Sequence, residues 1–164
     1  MNKIILFLSV LMLSKFALAT TTPAHVELCA LEIAEEAEAQ FTEETIFDVR
    51  KTKTISAFHL SLINNYIAGY NQEPNKHLTL ADLQKMFSKD GEESFNDLYI
   101  VKYTSKTTGQ VYLEVRTYPG DNPVGTVYNS KTGEILAQNS DDSYELTLPN
   151  GGTFSCYDLN KDKY

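Results

Sequence analysis

The sequence predicts an α+β fold in which N-terminal helices pack on one face of a curled antiparallel β-meander, a helix-grip arrangement. Three observations predict it. Apolar residues recur at helical spacing only in the first half of the chain. All ten tyrosines lie at Tyr66 or later, and eight of them from Tyr99 onward, which is a strand-like composition. Glycine-containing turns then separate short alternating segments to the end of the chain. Helices first and strands after, rather than an alternation of the two, is the α+β order. With 164 residues, two full-sized cores are excluded, and one core can form without a metal or a dense disulfide framework.

Residues 1–19 read as a cleaved secretory signal peptide. Lys3 precedes an apolar run from Ile4 to Leu13, and Ala17-Leu18-Ala19 puts small residues at the cleavage end. A run of that length, followed by Lys15, is too short for the roughly twenty apolar residues that a bilayer requires. The expected product is a single domain, 20–164, mainly helical over 20–91 and antiparallel sheet over 92–164, with no membrane anchor. Loss of Lys3 and Lys15 leaves 12 bases against 22 acids, so the formal charge moves from −8 to −10. The expected location is the periplasm or the extracellular medium. In such an oxidising compartment the two cysteines, Cys29 and Cys156, pair as one disulfide that joins the two ends of the domain.

Thr22 and Pro23 supply an N-cap and a first-turn proline. Val26, Cys29, Ala30, Ile33, Ala37 and Phe41 follow at helical spacing, which predicts an amphipathic helix over 25–41 with Cys29 on its apolar stripe. Ile46–Thr54 fits a short strand or an extended connector. Ile55–Tyr70 fits both periodicities, and its length, unbroken by a turn signal, favours helix over strand. Asn71–Asn75 is a loop by composition. Thr79 caps a short helix with Leu80, Leu83, Met86 and Phe87 on its apolar face and Asp82 at the third helical position, and Lys89-Asp90-Gly91 ends it.

The sheet segments are Leu98–Thr104, Val111–Tyr118, Val124–Asn129, Glu134–Gln138, Tyr144–Leu148 and Thr153–Asp158, with Cys156 in the last. Thr107-Thr108-Gly109, Pro119–Pro123, Ser130–Gly133, Asn139–Ser143 and Pro149–Gly152 are the turns. A helix gripped by a meander is similar in topology to cystatin-like and nuclear-transport-factor-like folds. The likeness is one of topology alone: the chain has neither a cystatin-type glutamine–valine–glycine loop nor a paired-tryptophan hairpin, and it contains no tryptophan. Fold analogy by itself assigns no function.

No catalytic motif and no metal motif is present. His25, His59 and His77 lack metal-type spacing, and no Gly-x-Ser-x-Gly elbow occurs. A Cys/His dyad of Cys29 with His25 requires a free thiol and so competes with the disulfide. Asp158, Asn160 and Asp162 open with calcium-loop spacing, but Lys163 occupies the position of the required glycine and the chain ends at Tyr164, which leaves a polar tail. No cofactor is expected, and catalysis is not the favoured reading. The acidic balance, without a basic stripe, disfavours nucleic acid.

Two features remain for recognition. If Val111, Leu113 and Val115 face the helices, Tyr112, Glu114, Arg116 and Tyr118 line the other, wetted sheet face, joined by Tyr128 and Tyr144; tyrosine and arginine are favoured at interface hot spots. The second is acidic: eight acids and no base lie between Glu27 and Asp48, with Glu32, Glu35 and Glu36 on the first helix. The expectation is an exported, non-catalytic binding protein acting on a protein partner of basic charge, as an inhibitor or immunity-type protein against a secreted or cell-wall-targeting enzyme. The alternatives are a small-ligand carrier or enzyme with a pocket between helices and sheet, and a structural envelope protein.

Overall fold

The computed structural model describes residues 27–71, 77–87, 95–119, 124–140 and 143–160. The segment read as a signal peptide, His25, residues 72–75 of the segment read as a loop and Asp162 lie outside them; Asn71 is the last residue of a helix. A seven-stranded antiparallel sheet runs in sequence order, β1 (Phe41–Asp48), β2 (Phe95–Ser105), β3 (Val111–Pro119), β4 (Val124–Asn129), β5 (Ile135–Ser140), β6 (Ser143–Thr147) and β7 (Thr153–Ser155). The helices are α1 (Ala34–Gln40), α2 (Ala57–Asn71), α3 (Leu80–Met86) and α4 (Tyr157–Asn160), with a 3-10 turn at Ala30–Glu32 ahead of α1. The α+β class and the meander are as expected.

The helix-or-strand ambiguity at 55–70 resolves as α2. Its Leu62, Ile63, Tyr66 and Ile67 pack with Leu83 and Phe87 against Leu98, Ile100, Leu113, Val115 and Tyr128 of the sheet. Asn64 locks α2 to the start of α3: its side-chain amide donates to the Leu60 and Leu78 carbonyls and its oxygen accepts from Leu78 N–H at 2.7 Å. Thr79 and Asp82 form the reciprocal capping box that their spacing predicts. Gly109 and Gly133 adopt φ of 71° and 73° in the two hairpin turns assigned to them, a region where a side chain would be strained.

The N-terminal segment departs from its predicted form. The single helix over 25–41 is broken at Ile33, whose φ of −111° and ψ of 112° are extended. Upstream of the break, Leu28, Cys29 and Ala30 are buried among Val101, Tyr103, Tyr112, Val127, Ala137, Tyr144 and Leu146. Those residues alternate with the ones that face α2, so this segment covers the opposite face of the sheet. Downstream, α1 buries none of its residues. The break turns α1 away from the buried face, and Lys106 after β2 bonds the Glu38 and Gln40 carbonyls, so that Phe41 returns not as a helix end but as the first residue of β1. Strand β1 thus begins earlier than the Ile46–Thr54 segment and falls in the half read as helical. A bulge between Thr45 and Phe47 switches the face that β1 presents, so Phe41 packs on the second face and Phe47 on the first.

Cys29 and Cys156 are bonded, with Cα atoms 5.2 Å apart. Cys156 follows β7 and its N–H donates to the Tyr144 carbonyl. Asn160, expected in a polar tail, is instead buried on α4 and donates to the Cys29 carbonyl at 3.1 Å and to Glu32 Oε2 at 2.7 Å. The disulfide spans 127 residues, so the chain-entropy model gives about 4 to 5 kcal/mol of stabilisation. Replacing both cysteines with serine is expected to lower unfolding free energy in urea by that order; equal midpoints for the two proteins would contradict it.

Candidate functional site

The second face of the sheet carries a buried cluster of ionisable side chains. Glu114, at the centre of β3, is 2% exposed. Tyr103 OH donates to its carboxylate at 3.1 Å, Tyr144 OH donates to the other oxygen, and Arg116 Nη1 stands 3.5 Å away. Arg116 Nη1 also donates to Tyr103 OH at 3.0 Å, and its Nη2 donates to Glu43 Oε1 at 3.1 Å. The β2–β3–β4 register explains the convergence, because Tyr103 pairs with Tyr112 and Arg116 pairs with Gly125. Gly125 leaves the space that the carboxylate fills: a Cβ there would lie 2.4 Å from Glu114 Oε1.

Burial raises the Glu114 carboxyl above its ordinary range, against the opposing pull of Arg116 and the Tyr144 and Tyr103 hydroxyls. Burial also raises Tyr103 and Tyr144, with the Glu114 carboxylate adding to the effect. Tyr112 is pushed up to about 12 by burial and by Glu27. Two further carboxylates fasten the N-terminal cover over this face. Glu27 accepts from Ser105 Oγ and from Tyr112 OH at 3.2 Å. Glu32 accepts from Ser143 Oγ, Tyr144 N–H and Asn160 Nδ2.

The expected tyrosine surface is therefore corrected. Tyr112, Glu114 and Arg116 do share the face opposite the helices α2 and α3, but Tyr112 is 3% exposed beneath the N-terminal cover. Tyr128 lies on the other face, 0% exposed, with its hydroxyl donating to the Leu62 carbonyl at 3.4 Å. The Tyr118 side chain lies outside the described residues. Glu32 points inward, whereas Glu35 is exposed and Glu36 half-buried on α1. The Cys29 thiol of the alternative dyad is consumed in the disulfide. His59 is half-buried, with burial lowering its pKa, and His77 is exposed.

The space between α2, α3 and the sheet is filled by the first core. Open volume lies at the sheet margins. One cleft of about 380 Å³ is bordered by Tyr66, Gly69, Thr126, Gln138 and Glu145. A second of about 300 Å³ is lined by Thr45, Asp97, Tyr99 and Arg116, beside the Glu114 network. Asp97 is held by Arg50 Nη1 at 2.9 Å. Sequence reasoning found Arg116 but missed Tyr99, Asp97 and Gly125. The alternation of β2 placed Tyr99 on the same face as Tyr103, and that was the available signal for it.

No family model, no curated protein and no solved structure matches the chain.

Two measurements test the buried network. Gly125→Ala forces Cβ into the Glu114 carboxylate, a clash with a group fixed on three sides, and should cost about 1 to 3 kcal/mol of stability. Gly69→Ala meets nothing within 4 Å in α2 and should be stabilising by about 0.5 to 1 kcal/mol. Reversed signs in the urea midpoints would refute the packing argument. Glu114→Gln tests the charge. Because the folded-state pKa of Glu114 is raised, its neutral form contributes fully below the unfolded value, and that contribution declines as pH climbs through the folded value. The stability of wild type minus that of Glu114→Gln should therefore fall as pH rises above the ordinary carboxyl range of about 4, the acids common to both proteins cancelling. A flat difference would mean that Glu114 ionises without penalty.

Proposed function

We propose that this is an exported, disulfide-tied binding protein that docks a basic protein partner on the outer face of α1 and the adjoining edge strand β1, as an inhibitor or immunity-type protein against a secreted or cell-wall-targeting enzyme. The observation that carries the reading is the exposed acidic ledge made by these two elements. Glu35 and Glu38 are exposed on a helix that buries nothing, and the helix leads into a sheet-edge strand on which Thr42, Glu43, Glu44 and Thr45 are all exposed. An edge strand offers backbone groups for pairing, and nearby acids steer a basic partner toward it. The tyrosines named as interface candidates play no part in this reading, because Tyr112 and Tyr128 are internal.

Export draws support from the signal-like segment at residues 1–19 and from the Cys29–Cys156 bridge, which suits an oxidising compartment. The strap of Leu28, Cys29 and Ala30 over the second face supplies a rigid base for α1. A preformed interface loses less entropy on binding than one that must order.

The mature protein and a Glu35→Lys/Glu38→Lys double variant should be compared as inhibitors of basic muramidases and in affinity capture from the producing cell's own envelope and medium. The wild type should bind at moderate salt and release as salt rises. The double variant should associate about tenfold more slowly. Retention of nothing at moderate salt, or equal capture by the two proteins, would refute the interface.

A further inference from the structure

Arg116 has two unlike sides. Its inner side is fixed by buried groups, Tyr103 OH at 3.0 Å and Glu114 at 3.5 Å. Its outer side meets Glu43, whose side chain is 49% exposed on the edge strand while that of Arg116 is 18% exposed. An exposed ion pair of this kind is worth about 0 to 1 kcal/mol, because water and salt compete with it. The guanidinium is thus held in one orientation by strong internal contacts and capped by a weak, replaceable carboxylate.

The cleft beside it is lined by Arg116, Asp97, Tyr99 and Thr45 and has a volume of about 300 Å³, at the small end of ligand sites. It therefore brings one fixed cation and one carboxylate to the same small space, with two hydroxyl side chains. Arg50 pairs with Asp97 at 2.9 Å on the rim, and Tyr99 borders the same cleft. A simple anion is opposed by a chain of formal charge −8, and a simple cation is opposed by Arg116. A zwitterion carries no net charge against the acidic chain, its carboxylate faces Arg116, and its ammonium shares Asp97 with Arg50.

We propose that this cleft binds a free α-amino acid, whose carboxylate takes the place of Glu43 on Arg116 while its ammonium group bonds to Asp97. Glu43 is then the internal stand-in for the ligand's carboxylate, and the buried Glu114–Tyr103 pair is what keeps the guanidinium aimed outward when Glu43 leaves. The cleft shares Glu43 and Thr45 with the β1 part of the ledge but neither Glu35 nor Glu38, so different variants test the two readings.

The test is titration of the mature protein with L-alanine and L-leucine, followed by the Arg116 side-chain N–H and Tyr99 backbone N–H resonances, with acetate, ethylamine and triglycine as comparison probes. Saturable shifts at both residues are expected with the amino acids, and much weaker binding of acetate or ethylamine alone. Glu43→Gln should tighten amino-acid binding about two- to fivefold, because it removes a competitor worth a surface ion pair. Asp97→Asn, a change at the half-buried rim outside the Glu114 network, should weaken the amino acids and leave acetate unchanged. Absence of saturable shifts, acetate binding as tightly as alanine, or weaker binding in Glu43→Gln would each overturn the proposal. Triglycine binding as tightly as alanine would assign the cleft to a peptide terminus and overturn it equally.

Discussion

The covering of the sheet's second face by the residues around Cys29 is the constraint on which the rest of the structure depends. A seven-stranded antiparallel sheet with helices on one side would ordinarily leave its other face to water. Here the strap carrying Leu28, Cys29 and Ala30 crosses that face and is fastened covalently to Cys156. Glu27 and Glu32 fasten it on either side of the cysteine, and Asn160 bonds both the Cys29 carbonyl and Glu32. The two ends of the described chain therefore meet over the middle of the sheet. Once the face is covered, every polar group on it must find a partner inside the protein.

That requirement explains the Glu114 network. A carboxylate in the middle of β3 cannot be hydrated, and removing its partners would leave a buried charge at high cost. Tyr103 reaches it from β2, Tyr144 from β6, Arg116 from its own strand, and Gly125 on β4 clears the space. Four strands converge on one side chain, which pins their mutual register more tightly than apolar packing would. The network also leads outward, since Arg116 links buried Glu114 to Glu43 on the edge strand.

Much of this fold was legible in the sequence, and the illegible part has a common cause. The Thr79–Asp82 box, the Gly109 and Gly133 turns and the α2 helix rest on residues close in sequence, so local chemistry announces them. The disulfide was legible from the even cysteine count taken together with the signal-like first segment. The break at Ile33 was not, because the stripe from Val26 to Phe41 keeps helical spacing through it; only the grip of Ser143, Tyr144 and Asn160 on Glu32, more than a hundred residues away, shows why the chain turns there. The burial of Tyr112 was hidden for the same reason. Strand alternation assigns a residue to a face, but whether that face is wet depends on a distant segment. Tyr128 was misassigned for want of the β3–β4 register, which places it opposite Leu113.

The same folding also reshapes the charge pattern of the N-terminal segment. Of the acids between Glu27 and Asp48, Glu27 and Glu32 are spent inside the strap. Glu43 and Glu44 face Arg116 and Lys102, and Asp48 holds Lys51 together with the Arg50 N–H. Opposite charges at these distances cancel much of each other's field beyond about one Debye length, roughly 8 Å at physiological salt. A run that reads as one acidic block in the sequence therefore acts at long range chiefly through Glu35 and Glu38, whose side chains are exposed on α1. A partner drawn by charge would be directed to that helix, and the β1 edge beside it would be met second, at contact distance, where backbone pairing rather than net charge decides what stays bound.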